Sequence, residues 1–253
     1  MKKIILLFLP LWVAAAENPI HIIPEPAQIS QREGIFKIGT SVKIFLSATD
    51  NAFKKITADF AAEFFKNTGI KLRIIENNAA NADSNIVVQQ SAGNPKEGYK
   101  IDIASKRTII EASDPAGLFY AFQSLRQLLP VGFYTKKKMS KWYLPNVSIT
   151  DYPRYGYRGM HLDVSRHFFS LDFLEKYLDI LASYKINTFH WHLTDSHGWR
   201  LEIKKYPKLT SVGAWRADRT GIPFTIAEPT GKDEKATYGG FYTQEQVKGL
   251  IKY

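Results

Sequence analysis

Two polar runs hold residues whose types and spacing could do chemistry. Asp163, Arg166 and His167 follow one apolar segment, and Asp195, Ser196, His197 and Trp199 follow the next. An Arg offers a planar fork of donors that fixes two acceptors at once, which suits the gripping of neighbouring hydroxyls. An Asp facing it would orient the fork or take a further hydroxyl. The plainer reading of Arg166 is a buried ion pair with Asp163 or Asp195. Pattern alone leaves both open, because charge clusters serve structure as well as function.

His190 and His192 alternate with Trp191. In a strand both would face one side. One reading is a metal pair, as in barrel amidohydrolases that begin with His-x-His. The other is a pair of core histidines hydrogen-bonded inside a barrel. No further Cys or His cluster follows them, so the core reading is preferred. Trp199 and Trp215 could stack on a sugar face or act as lid or core residues. The adjacent acids Asp233 and Glu234 sit between lysines in GKDEK with no strand before them. Nothing there would fix catalytic geometry or raise a pKa, so they are read as solvated loop.

The elements that must position these groups are legible from periodicity. Residues 158–164 and 186–193 read as strands. Between them Ser170 is a good N-cap and Asp172 suits the first turn of a helix. Leu171, Leu174, Leu178 and Leu181 form its apolar stripe, widened by Tyr177, Ile180 and Tyr184. Short loops make a right-handed β-α-β crossover the natural connection. Both polar runs then leave the same rim of a parallel sheet, where barrels keep their chemistry. A long loop rich in Gly, Pro and charge follows, to about residue 241. Thr243 and Gln246 form a capping box for a further helix.

Residues 18–150 read as a small α/β module without a chemical constellation. Pro19, Pro24 and Pro26 suggest an extended entry. Residues 42–46, 70–75 and 86–88 read as strands, and 99–103 with 108–111 as a hairpin. A helix capped by Asp50 or Asn51 presents Phe53, Ile56, Phe60 and Phe64, and Gly69 ends it. Asp114 and Pro115 open another, which Pro130 stops. Residues 131–146 read as an irregular connector.

The 253 residues are 45% hydrophobic and 13% aromatic, which is ordinary globular composition. Net charge is +10, but the Lys and Arg are scattered and the longest run is Lys136 to Lys138. Runs of that size are usually solvated loops, so the charge reads as a mild bias towards anionic surfaces, and no nucleic-acid partner is expected. Lys2 and Lys3, the apolar run 4–13 and Ala14 to Ala16 read as a signal peptide over residues 1–16. The run is too short to span a bilayer, so no membrane span is expected after cleavage. With no cysteine there is no disulfide framework or thiolate metal site. An exported protein, periplasmic or secreted from a bacterium, is expected.

The chain resembles glycoside hydrolase family 20, the β-N-acetylhexosaminidases. The carriers are Arg158-Gly159, LDVSRHFF at 162–169, YKINTFHWHLTD at 184–195, GWRLEIKKYPKLT at 198–210, GAWR at 213–216 and YGGFYTQE at 238–245. EGYKIDI and DPAGLFYAFQSLRQL are weaker carriers in the first module. The resemblance implies an α/β protein: residues 17–150 as the small domain that precedes the barrel, and 151–253 as the start of a (β/α)8 barrel. It implies removal of terminal β-linked N-acetylglucosamine or N-acetylgalactosamine from glycoconjugates, chitin or peptidoglycan oligosaccharides. The mechanism would be retaining and substrate-assisted, with the 2-acetamido oxygen as nucleophile. Arg166 takes the family position that holds hydroxyls of the terminal sugar. Asp195 takes one in the hydrogen-bonded network reaching the catalytic Glu.

Ser196 and His197 depart from the second acid and Gln usual at those positions. The family's His-x-Gly-Gly-Asp-Glu and Pro-Gly-His segments do not occur in residues 1–253. A full barrel takes ~250 residues. The expectation is therefore an N-terminal portion, inactive alone, with its Asp-Glu pair beyond residue 253. No catalytic residue, metal or cofactor is assigned within the chain. The alternatives are a metal-dependent amidohydrolase using the His-x-His strand, and a non-catalytic glycan-binding remnant.

Overall fold

The computed structural model describes residues 20–76, 83–135, 139–223, 226 and 228–253. The expected signal peptide and the lysine run 136–138 lie outside the described residues.

The first module is a seven-stranded mixed sheet with helices packed on it. Its elements are β1 (Gln28–Ile38), β2 (Lys43–Ser47), α1 (Asn51–Thr68), β3 (Arg73–Glu76), β4 (Asn85–Gln90), β5 (Tyr99–Ala104), β6 (Arg107–Ala112), α2 (Pro115–Leu128), the four-residue α3 (Gly132–Thr135) and β7 (Trp142–Asp151). The strand order is β1-β7-β5-β6-β4-β2-β3. The β6-β4-β2-β3 half is parallel and the β1-β7-β5-β6 half antiparallel.

Local chemistry sets the helix ends. The Asp50 carboxylate accepts from Ala52 N, and Gly69, at φ 77, closes α1 by donating to Phe65 O. Asp114 accepts from Gly117 N with Pro115 at the first helical position. Phe53, Phe60 and Phe64 of α1 are buried, and Phe60 stacks on Phe122 of α2 at 4.3 Å. Each such ring taken from water contributes about 1.5–3 kcal/mol, so this aromatic seam anchors the helices to the sheet.

One expectation fails here. Residues 131–146 are no irregular connector: they hold α3 and the start of β7, which lies inside the sheet between β1 and β5. The extended entry leads into β1, a strand that the sequence pattern did not propose. The irregularities that hide these strands answer one another. β1 bulges between Gln31 and Ile35, with Gly34 at φ 100, and Pro145 of β7 stands opposite Ile35. A proline has no N–H for the ladder, and a bulge is where a sheet tolerates one. Asn146 seals the gap by donating to Glu33 O and Ser105 Oγ, both at 2.8 Å. A Cβ on Gly34 would lie 2.6 Å from Asn146 Nδ2.

The second unit is β8 (Gly159–Asp163), α4 (Leu171–Ser183) and β9 (Thr188–His192). β8 and β9 pair in parallel, with Gly159 opposite Thr188 and Asp163 opposite His192. Ser170 caps α4, accepting from Phe173 N. Leu174 and Leu181 are buried, while Leu171 and Leu178 are only partly so; Ile180 (54% exposed) and Tyr184 (43%) do not widen the stripe as expected. Beyond β9 come the two-residue strands β10 (Thr194–Asp195) and β11 (Gly198–Trp199), then α5 (Lys208–Ser211), β12 (Trp215–Arg216), β13 (Tyr238–Gly239) and α6 (Gln244–Lys252). The expected capping box opens α6. Val164, Leu174, Tyr242 and Leu250 form the core of this unit.

Two cations lock the units together. Arg158 reaches Glu97 Oε2, Tyr120 OH, Lys185 O and Tyr155 O, each at 2.8 Å. Lys185 Nζ meets Asp151 Oδ2 and Tyr99 OH, both at 2.8 Å, in a buried site. Burial pulls the Lys185 ammonium down from its ordinary range, against the pull of Asp151.

Candidate substrate-binding site

Strand β8 ends at Asp163, and the turn beyond it is built by that side chain. Oδ1 of Asp163 accepts from Ser165 N at 2.9 Å and Arg166 N at 3.0 Å. This bends the chain so that the Arg166 guanidinium returns over the strand ends. Nη1 of Arg166 then lies 2.6 Å from Asp163 Oδ2 and 2.9 Å from Asp195 Oδ2. Asp195 arrives from β9, with Oδ1 accepting from Ser196 N at 2.7 Å. His192 completes the group: Nε2 is 3.0 Å from Asp195 Oδ2 and 3.2 Å from Arg166 Nη1.

Partial burial pushes the Asp163 carboxyl up, but the Arg166 and Ser165 N–H groups and the guanidinium outweigh it and hold it below the usual range. Asp195 is lowered by the Ser196 N–H, then by His192 and Arg166. Both carboxyls are therefore ionised at neutral pH and have no proton to lend. The arrangement is suited to holding polar groups, not to acid catalysis.

Of the sequence candidates, the structure brings together Asp163, Arg166, His192 and Asp195. His167 instead faces Tyr238, its Nδ1 3.4 Å from the hydroxyl, and Ser196 Oγ pairs with His197 Nδ1 at 3.0 Å. Trp199 donates to Leu201 O and is half-buried; Trp215 is 40% exposed and donates to Thr210 O. A cleft of about 370 Å³ is lined by Ser196, His197, Trp215, Arg216 and Arg219 among others, and none of Asp163, Arg166, His192 and Asp195 lines it. Glu234 is bound by Arg219 and held down to about 2, chiefly by that bond and then by Gly231 N–H. It is an ordered loop ion pair, outside the Arg166 group. Of the two alternating histidines, His190 is exposed and His192 half-buried, and both stand on the face of β9 that carries the Arg166 group.

Arg200 is the residue that sequence reasoning missed. It is fully buried and donates only to carbonyls: Val164 O at 3.0 Å, Ser165 O at 2.7 Å, Gly240 O at 3.1 Å, and Ala214 O. It therefore ties the turn after β8 to three later segments. Ser165 Oγ adds a bond to Gly198 O at 2.8 Å, and Arg216 Nη2 one to Arg166 O at 2.6 Å. One sequence signal was present: a Cβ at Gly198 would collide with the Arg200 guanidinium, so the Gly-Trp-Arg run is a packing unit.

A mixed α/β module followed by a βαβ unit, with charged groups gathered beyond two parallel strands, defines an α/β protein that opens a barrel. The chain belongs to glycosyl hydrolase family 20: the model for its domain 2 matches residues 19–152 and that for its catalytic domain residues 155–253. The β-hexosaminidase of Porphyromonas gingivalis is 36% identical over 239 residues, covering 94% of this chain and 29% of the relative. That of Vibrio furnissii is 34% identical over 236 residues, covering 92% and 35%. The chain thus spans about a third of the length of these curated relatives. Among solved structures, the β-N-acetylhexosaminidase of Streptomyces coelicolor A3(2) superposes with a TM-score of 0.77 at 29% identity, covering 93% of this chain and 44% of the other. The exo β-N-acetylglucosaminidase of Vibrio harveyi, in complex with N-acetylglucosamine, gives 0.73 at 32% identity, covering 91% and 34%.

Proposed function

We propose that this chain is the substrate-holding portion of an exo-acting β-N-acetylhexosaminidase. The observation that carries the reading is the Arg166 guanidinium held between Asp163 and Asp195 at the ends of two parallel strands. Two carboxylates fix the guanidinium at this rim, and a planar fork so held suits recognition of hydroxyls of a terminal N-acetylhexosamine. Asp195 spans Arg166, His192 and the Ser196 amide, and so transmits the position of the sugar to the group beyond it. The names of the relatives support this substrate class.

Hydrolysis would then proceed with retention. The substrate's acetamido oxygen attacks the anomeric carbon as an acid protonates the leaving oxygen; water then opens the oxazolinium ring, activated by the same residue as base. Asp163 and Asp195 are held ionised, which suits them to binding and orientation. The acid belongs to the family's Asp-Glu motif, which residues 1–253 do not include. The N-terminal Lys-apolar-Ala run supports export to the periplasm or medium.

The test is turnover of an aryl N-acetyl-β-glucosaminide by the purified 253-residue chain. None is expected, while a polypeptide that also carries the Asp-Glu motif should turn over. Hydrolysis by the chain alone would refute the assignment of roles.

A further inference from the structure

His161 is a third histidine that no role above uses. It is the register partner of His190 across β8 and β9, and His192 lies two residues further along, so all three imidazoles stand on one face. Ring centroids are 4.7 Å apart for His161–His190, 5.4 Å for His161–His192 and 6.4 Å for His190–His192. One donor nitrogen from each lies within 4.8 Å of the other two. Among the described residues this is the one group of three or more His, Asp or Glu with such spacing.

We propose that His161, His190 and His192 form a three-imidazole site for a divalent d-block cation of the zinc type. Imidazole nitrogen is a borderline donor that selects zinc, copper or nickel over calcium or magnesium. A tetrahedral ion with Zn–N of about 2.0–2.1 Å needs nitrogens roughly 3.4 Å apart. The rings must therefore close by about 1.4 Å at most from the 4.8 Å limit, which rotation of the exposed His161 and His190 side chains towards the half-buried His192 supplies. Three protein donors leave a fourth position for water, the open arrangement of zinc sites.

The surrounding charge permits a cation. Arg166 opposes it from 3.2 Å beyond His192, but Asp163 and Asp195 both sit on that guanidinium and outnumber it. Asp195 also fixes the His192 ring through Nε2, as outer carboxylates do for metal-binding imidazoles. The site stands whether or not Arg166 holds a sugar. The sequence reading weighed His190 and His192 without His161, whose partner lies across a crossover.

The experiment is calorimetric titration of the untagged chain with Zn²⁺, with Co²⁺ substitution read by visible absorption. One equivalent should bind, and Co²⁺ should show the intense d–d bands of four-coordination. His161→Ala and His190→Ala should each weaken binding at least tenfold. His21→Ala, remote from the cluster in sequence and exposed, should not. Far-UV circular dichroism checks each variant; if His161→Ala loses its fold, His161→Gln decides in its place. Equal affinity in the parent and the His161 variant, or a six-coordinate Co²⁺ spectrum, would overturn the site.

Discussion

Nη1 of Arg166 lies 2.9 Å from Oδ2 of Asp195, a contact made between the ends of adjacent parallel strands. The same nitrogen lies 2.6 Å from Asp163. One cation thus joins two carboxylates whose proton affinities are both lowered.

That relationship fixes the sign of an acid effect. Both carboxyls are depressed in the folded state, so between the folded and unfolded pKa values the unfolded chain binds more protons and stability rises with pH. The contribution is complete above the unfolded value near 3.9 and is lost as pH falls from there through the lower folded one. Urea unfolding measured from pH 6 to pH 2 should show stability level at first and falling below about pH 4. Asp163→Asn and Asp195→Asn should each flatten that fall, and an unchanged fall would contradict the pairing.

Arg200 has four carbonyl partners and is fully buried. Replacing it by Met keeps much of the volume and strips the donors, leaving buried acceptors unmet. Such changes cost about 2–4 kcal/mol. Denaturant unfolding should show a loss of that size for Arg200→Met, with the Arg166 turn loosened. A loss below about 1 kcal/mol would mean that the turn is held by other bonds.

Lys185 and Asp151 join the two units from a buried position, their side chains only 7% and 12% exposed. Removing one partner of such a pair strands the other, at about 3–5 kcal/mol. Lys185→Met should therefore destabilise strongly, and adding Asp151→Leu should restore more than half of the loss. Thermal unfolding of the four-member cycle measures this. Additive losses would show that the pair is not coupled.

Features written in a few neighbouring residues were legible in the sequence. The Asp50, Asp114, Ser170 and Thr243 caps bond within three residues of themselves, so the local order of side chains suffices to read them. The two barrel strands and the rim with Arg166 and Asp195 were legible for the same reason, since polar residues directly follow apolar runs. β7 was not, because its Pro145 is admissible only opposite a bulge in β1, more than a hundred residues earlier. Arg200 was hidden for a related reason. Its partners at Val164, Ser165, Ala214 and Gly240 are brought together by the fold and share no spacing with it. His161 was missed because its register partner His190 lies across α4, which no single-strand period reports.

The role proposed for Arg166, contact with a terminal N-acetylhexosamine, is open to direct titration. The decisive titration is N-acetylglucosamine into the parent chain and into Arg166→Ala, followed by nuclear magnetic resonance, with glucose as the control sugar. The parent should bind N-acetylglucosamine in preference to glucose. Arg166→Ala should bind it at least tenfold more weakly, a loss of about 1.4 kcal/mol. Equal affinity in the two proteins would contradict the role given to Arg166 and reduce its pairing with Asp195 to a purely structural contact.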